Sequence, residues 1–591
     1  MATKVAELKK ITTPENKAAW ITHQWDQYSD ERHVKMQDWS ELKQYLFATD
    51  TSATSNSTLE WENTTTLPKL CQIRDVLHSN YMTSLFPNDR WLKWEGHSTD
   101  SVTKDRADTI TSYMTNKARE GKLRNTISKC LLDYIDYGNA FAMPTFESRH
   151  NLRHNELIPG FIGTKAVRIS PEDIVFNPLA DTIHDTFKIV RSIKTLGEIK
   201  KLVITNPENT FWQEYLDSRT KIGQSMSGIS VEDASKTVQY QIEGFGNIWE
   251  YYTSEYVEVL EFYGDYHDAA SGELLTDRMI TIADRRTVVR DEPIPTYDGR
   301  APIYHAGWRK RSDNLWHMGP LDNLVGMQYR IDHLENAKAD AYDMAIHAPL
   351  VIRGDVEPFV WGPKTQIHLD AGEGDVSEIA KNLNAVITAD NQIAMLEERM
   401  ELFAGAPREA AGIRTPGEKT AFEVDTLQTA ASRIFQTKVT NFEIDLLEGL
   451  LNGMFESAHR NFDEVDLIRV IDNDLGVASF KEITKDDITA RGILRPVGAR
   501  HFSQRSTELQ NMIGVFSSPI GQMITPHTSS IELARYIEDY IELPGYDLFR
   551  PNIGIVEQQQ SQSLINQATE DLEVEATGPS EDQITNEDIS A

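Results

Sequence analysis

The chain has 591 residues and a net charge of −32, with 40% apolar and 25% charged residues. That length and apolar content suit a folded protein of several structural units, whereas strong acidity argues against a protein that coats nucleic acid or reads its sequence. Two cysteines in apolar helical contexts, Cys71 and Cys130, argue against a disulfide framework or zinc site, and neither a signal-peptide core nor a membrane-length apolar run is present.

Residues 1–150 read as helical. Trp20, Trp25 and Tyr28 begin an amphipathic stretch that resumes at Trp39, Leu42 and Leu46. Residues 50–66, rich in Ser, Thr and Asn, read as an exposed loop. Leu70, Ile73, Val76, Leu77 and Met82 recur at helical spacing up to the turn at Phe86-Pro87-Asn88-Asp89. Further helices are predicted over about 102–120 and 122–137, closing at Gly138-Asn139. From about 160 the period moves towards two. Val167-Arg168-Ile169, Tyr256–Tyr263, Arg278–Ile282 and Thr287–Arg290 predict a modest antiparallel sheet, interrupted by a helical patch near 195–218.

Gly319-Pro320 opens the next predicted helix, with proline and Asp322 both suited to a first turn. Leu324, Met327, Ile331, Leu334, Ala341 and Met344 mark one face through residue 346, and Asp332, His333, Glu335, Lys338, Asp340 and Asp343 make the other face polar. A narrow apolar stripe with a charged remainder suits a helix packed sideways in a ring or on a bundle. A compact strand-rich unit follows at Leu350–Ile352, Phe359–Trp361 and Gln366–Leu369, with a short helix near 376–383. From about 390 a second helix returns through Ile393, Leu396, Met400 and Leu402. A long helix carries Leu427, Ile434, Phe435, Val439, Phe442, Leu446, Leu450 and Met454 to about Phe462. A small α/β segment at about 465–500 and helices near 503–516 and 529–542 come next, and the acidic residues 557–591 are predicted to be disordered.

Between the returning and long helices lies a segment with Gly405, Pro407, Gly412, Pro416, Gly417 and basic residues, a composition no buried element tolerates. Gly412, Gly417, Lys419 and Thr420 nearly spell a phosphate-binding loop, but Glu418 stands between the second glycine and the lysine and no buried strand precedes them. A carboxylate there repels phosphate, so an NTPase is the alternative rather than the main reading. His150 and His154 have metal-like spacing without a third ligand, and no Gly-x-Ser-x-Gly nucleophile turn occurs. The expectation is a protein that is not an enzyme, with no catalytic residue, metal or cofactor.

The stretch Gly412–Val424, continuing to Ala430–Gln436, resembles the tunnel-loop region of portal (head–tail connector) proteins of tailed double-stranded DNA bacteriophages, of podovirus-like kind. Leu85–Trp91, Asp136–Ala140 and Ser170–Ile174 support the resemblance, which covers about 15–555. It implies an α+β, mainly helical portal fold assembled as a dodecameric ring around a central DNA channel. Residues 1–316 correspond to the wing (helical 1–160, β-rich 161–316), 317–346 to the stem helix, 347–388 to the clip and 389–406 to the returning stem helix. Residues 407–420 are the implied tunnel loop, 421–502 the long wing helix with the small α/β segment, 503–556 the crown and 557–591 the tail.

The resemblance implies Arg408, Glu409, Arg414, Thr415, Glu418 and Lys419 as DNA-contacting tunnel-loop residues, and Phe359, Trp361 and Lys364 as a clip interface. The alternative for Arg408, Glu409, Arg414, Glu418 and Lys419 is a set of intersubunit salt bridges. Implied partners are further copies of the chain, double-stranded DNA, the major capsid protein and scaffold, the terminase large subunit and tail adaptors, with no membrane. The implied place is the capsid vertex of the virion after synthesis in the host cytoplasm, and the implied work is genome packaging and ejection. A different virion ring component, such as a tail adaptor, is the other alternative.

Overall fold

A computed structural model describes residues 14–52, 54, 62–86, 91–96, 101–153, 156–205, 210–222, 256–268, 272–285, 287–346, 350–354, 374–378, 384–405, 435–461, 466–471, 478–485, 488–489 and 492–496. Its class is α+β with helix predominating. The chain divides into two units, one of 1–466 and 483–500, the other of 467–482 and 501–591. In the second, the described strands belong to a two-stranded ribbon of β12 (Asp466–Ile471) and β13 (Ala478–Ile483).

The first unit opens with α1 (Pro14–Leu46), which buries Ile21, Trp25, Trp39 and Leu42 along its length. Helices α2 (Lys69–Leu85), α3 (Ser101–Glu120) and α4 (Leu123–Asp136) follow near their predicted places. Two strands stand inside the stretch read as helical. They are β1 (Leu92–Gly96), paired antiparallel with β14 (Gly492–Pro496), and β2 (Asn139–Arg153). Strand β2 lies between β3 (Glu156–Ile169) and β9 (Tyr304–Gly307) in a three-stranded sheet. His150 pairs within β2 opposite Pro159, and His154 lies outside the described residues.

The predicted antiparallel sheet has five strands in sequence order: β4 (Ile174–Phe176), β5 (Lys188–Thr195), β6 (Tyr256–Asp268), β7 (Glu273–Ala283) and β8 (Thr287–Pro293). Alternation gives it two apolar faces. Phe176, Val190, Tyr263 and Met279 join Trp39, Phe141 and Trp316 on one side, while Val175, Ile189, Phe262 and Ile280 pack with Ile21 and Trp25 of α1 on the other. Helices α5 (Leu196–Thr205) and α6 (Thr210–Ile222) form the helical patch.

The sheet leads to a hairpin of α7 (Val325–Ile346) and α8 (Asn384–Ala404), separated by the antiparallel pair β10 (Leu350–Gly354) and β11 (Gly374–Glu378). Three boundaries differ from expectation. Helix α7 starts at Val325 because Gly319 through Leu324 are spent in turns; α8 starts earlier, at Asn384; and the first residues of the expected 376–383 helix are strand. The long helix, α9, is described from residue 435 to Arg460, with a π-helical segment at Glu443–Glu448. The expected tunnel loop, crown and acidic tail lie outside the described residues. Among the described residues no helix is long and apolar enough to cross a membrane.

Candidate functional site

The hairpin is set at its base by a tight backbone crossing. Gly138 (φ +69°) ends the α4 turn, and a Cβ there would fall on the backbone of Met318 and Gly319. Asn139 sits in the same crossing and is fully buried. Its Nδ2 donates to Tyr137 O (2.9 Å) and His317 O (3.0 Å), while its Oδ1 accepts from His317 N–H (3.1 Å) and His305 Nε2–H (3.0 Å). The His305 ring stacks on Phe141 and on His317, with centroids at 4.4 Å and 5.3 Å. Burial, then the charges of Lys310 and Arg311, lower the His317 pKa to about 4. Burial chiefly holds His305 well below the usual imidazole range. Both rings are neutral at pH 7, which keeps their fixed donor and acceptor roles.

From this base α7 carries polar residues at four-residue spacing, Gln328, Asp332, Asn336 and Asp340, which fall on one helical face. Their partners are not solvent but residues 51 and 62–70. Gln328 Oε1 accepts from Leu70 N–H (3.1 Å) and its Nε2 donates to Leu67 O (2.5 Å). Asp332 Oδ1 accepts from Leu67 N–H (2.9 Å), from Thr66 Oγ1–H (3.1 Å) and from Gln328 Nε2–H (3.0 Å). Asn336 Nδ2 donates to Thr51 Oγ1 (3.4 Å), and Asp340 Oδ1 accepts from Asn63 N–H and Nδ2–H, each at 2.8 Å. Asp343 Oδ2 accepts from Asn63 Nδ2–H as well (2.9 Å). The described part of the expected exposed loop is thus a strap laid along α7. The polar face of α7 is largely occupied by the chain itself.

Ion pairs fix the course of α8. Lys338 Nζ lies 2.6 Å from Glu335 and 3.0 Å from Asp390. At the other end Lys69 Nζ lies 2.6 Å from Glu401, beside the Leu70 amide held by Gln328. Gln328 and Glu401 are bridged through Leu70 and Lys69 at one end, and Lys338 and Asp390 pair further along, so the helices run antiparallel. On α8, Val386, Ile393 and Met400 form a buried stripe at seven-residue spacing. A second apolar stripe is uncovered in the single chain: Ile387 is 64% exposed, Leu402 68% exposed, and Met395 and Phe403 are exposed too. Tyr329, Tyr342 and Ile346 on α7, and Ile352 on β10, are also exposed. Isolated exposed leucines need no explanation, but an aligned set along a helix marks a surface built for contact.

Helix α9 is docked where it follows the expected tunnel loop. The Phe435 ring stacks on Tyr81 at 4.8 Å, Lys438 Nζ lies 4.6 Å above Trp308 and donates to Trp308 O (2.6 Å), and Tyr134 Oη–H donates to Lys438 O (3.1 Å). Further along, Gly449 and Gly453 leave room for the Tyr304 ring, which a Cβ at either position would strike. Arg408, Glu409, Arg414, Thr415, Glu418, Lys419, Phe359, Trp361 and Lys364 all lie outside the described residues, so their grouping rests on the sequence alone. The strap residues Asn63 and Thr66 escaped sequence reasoning, although the four-residue polar period on α7 was a signal for some partner along it. Among the described residues no group of three or more His, Cys, Asp or Glu side chains could hold a metal ion. No protein-family model matches the chain, and no curated protein is significantly similar to it.

Proposed function

We propose that this chain is a portal subunit, which closes with further copies into a dodecameric ring at one capsid vertex and forms the channel for packaging and ejection of double-stranded DNA. The observation that carries the reading is the α7–α8 hairpin, strapped and ion-paired within its own chain yet bearing a second, uncovered apolar stripe at Ile387, Met395 and Leu402. When such a stripe on one copy meets a different face of the next, the heterologous contact generates a closed ring if the rotation between copies divides a full turn.

Other features support the same reading. Helix, two-stranded unit, returning helix, Gly/Pro-rich segment and long helix follow one another in the order of stem, clip, stem, tunnel loop and wing helix. The net charge of −32, repeated around a ring, suits a wall past which DNA slides without adhering. In this account Arg408, Arg414 and Lys419 touch the passing phosphates, Thr415 contacts the DNA with them, and Glu409 and Glu418 limit their hold. Phe359, Trp361 and Lys364 belong to the clip, which meets the terminase large subunit and later the tail adaptors, while the wing meets capsid protein and scaffold. Purified protein examined by native mass spectrometry tests the proposal. Twelve-subunit assemblies are the expected result, and a monomer persisting at micromolar concentrations would overturn it.

A further inference from the structure

The strap leaves one face of α7 open, and α8 presents another opposite its buried stripe. On α7 the residues Gly326, Arg330, His333 and Ala337 recur at helical spacing, and all four are exposed. On α8 the exposed residues Ile387, Met395, Glu398 and Leu402 do the same, on the side away from Ile393 and Met400. Each face carries a charge with no counterpart on its own helix. Three and four residues from Arg330 stand Gly326, Met327, His333 and Leu334, none of them acidic. The same positions around Glu398 hold Ala394, Met395, Glu401 and Leu402, none of them basic. Among the described residues neither Arg330 nor Glu398 has an ion-pair or hydrogen-bond partner.

The two faces also match in height along the hairpin. Lys338 and Asp390 pair between the antiparallel helices (3.0 Å) and fix a common level. Counted from that pair towards the base, Arg330 and Glu398 each lie eight residues away, about 12 Å along their helices. His333 and Met395 each lie five residues away, and Gly326 and Leu402 twelve. Every level is chemically complementary. A base stands at the height of an acid, and the methionine thioether at that of the parallel Tyr329 and His333 rings, whose centroids are 6.2 Å apart. Leu402 stands at the height of Gly326, where an added Cβ would meet nothing within 4 Å. Rotation about an axis along the hairpin changes no residue's height, so these levels stay matched when α8 of one copy meets α7 of the next.

We propose that the outer face of α8 docks on the open α7 face of a second copy of the chain, pairing Glu398 with Arg330 of the partner subunit and seating Leu402 at the partner's Gly326. The proposal rests on the ring reading above and names the two surfaces that would make the ring. The contact is heterologous, because the α7 and α8 faces differ, so it passes from copy to copy instead of ending at a dimer. Copies that each carry a net charge of −32 repel one another, which makes an in-register acid–base pair a device for selecting one docking geometry. Arg399, the neighbouring cation on α8, is turned about 100° round the helix from Glu398. Once apolar neighbours exclude water from the pair, loss of either partner leaves the other charge desolvated and unmatched.

Full-length protein, as wild type, Arg330→Glu, Glu398→Arg and the double variant, is followed by sedimentation over a range of protein concentrations, with native mass spectrometry to count subunits. Each single exchange should raise the concentration needed for assembly by about tenfold or more. The double exchange, which restores opposite charges, should return it to within about threefold of wild type. Should a charge variant fail to fold, Gly326→Leu fills the notch while favouring the helix, and it should weaken assembly by about tenfold without a change of charge. Wild-type rings that tolerate both single exchanges and Gly326→Leu, or a double variant that assembles no better than its singles, would overturn this docking and leave the ring reading standing. A wild-type chain that stays monomeric would overturn the ring reading and this docking with it.

Discussion

Replacing Asp332 by alanine removes the centre of the strap that ties residues 62–70 to α7. The lost carboxylate takes with it acceptors for Leu67 N–H (2.9 Å), Thr66 Oγ1–H (3.1 Å) and Gln328 Nε2–H (3.0 Å). Hydrogen bonds to a charged group contribute about 1.5–3 kcal/mol each. They do not add, however, because the three donors share one acceptor and Gln328 keeps its bonds to Leu67 O and Leu70 N–H. Burial also raises the Asp332 pKa, a desolvation cost that the substitution relieves. The net loss expected for local opening of the strap is therefore about 2–4 kcal/mol, which corresponds to roughly 30-fold to 1000-fold faster amide exchange at Leu67. Hydrogen–deuterium exchange resolved to residues 62–70 measures it directly. Asp332→Asn keeps one oxygen for the Leu67 amide and should lose about half as much. Unchanged exchange at Leu67 in the alanine variant would refute the strap as described.

Three further outcomes follow from named contacts. Gly138→Ala puts a Cβ against the Met318–Gly319 backbone at a positive φ, so it should destabilise the first unit by about 3 kcal/mol or more, read from its denaturation midpoint. The depressed His317 pKa means that the unfolded chain binds the proton more readily, so the stability from neutral His317 is present above about pH 6.5 and is lost as pH falls towards about 4. His317→Asn, which keeps an acceptor near Arg311 N–H, should flatten that acid loss by up to about 3 kcal/mol, measured by urea melts at pH 4.5 and 7. Leu402→Asp should leave the monomer fold intact, because the side chain is 68% exposed, yet shift assembly to at least tenfold higher protein concentration in sedimentation.

Local elements were legible where one physical signal dominated. The period-3.6 pattern at Leu70, Ile73 and Leu77 marked α2, and alternation through Val257, Val259 and Glu261 marked β6. Strand β1 was not legible because its five residues gain their partner from Gly492–Pro496, nearly 400 residues away, a pairing no local pattern announces. Strand β2 was obscured by Pro144, which demotes a strand in local reading but is accommodated here opposite Ala166. The α7–α8 hairpin was legible as two helices around a small strand unit. Its polar face was read as polar but its partners were not legible, because composition shows that Asp332 and Asp340 avoid an apolar core but not that Thr66, Leu67 and Asn63 satisfy them. Of the α8 residues read as apolar markers, Ile393 and Met400 turn inward and Leu402 outward, a difference of facing that only the packing reveals.

The account depends above all on hairpins from adjacent copies standing side by side around an open axis. An electron cryo-microscopy reconstruction of the assembled particle tests this most directly. It should show a dodecameric ring with an axial opening, Ile387 and Leu402 covered by the next subunit, and Arg414 directed towards the bore. A particle with no axial opening, or with Arg414 on its outer circumference, would contradict the account.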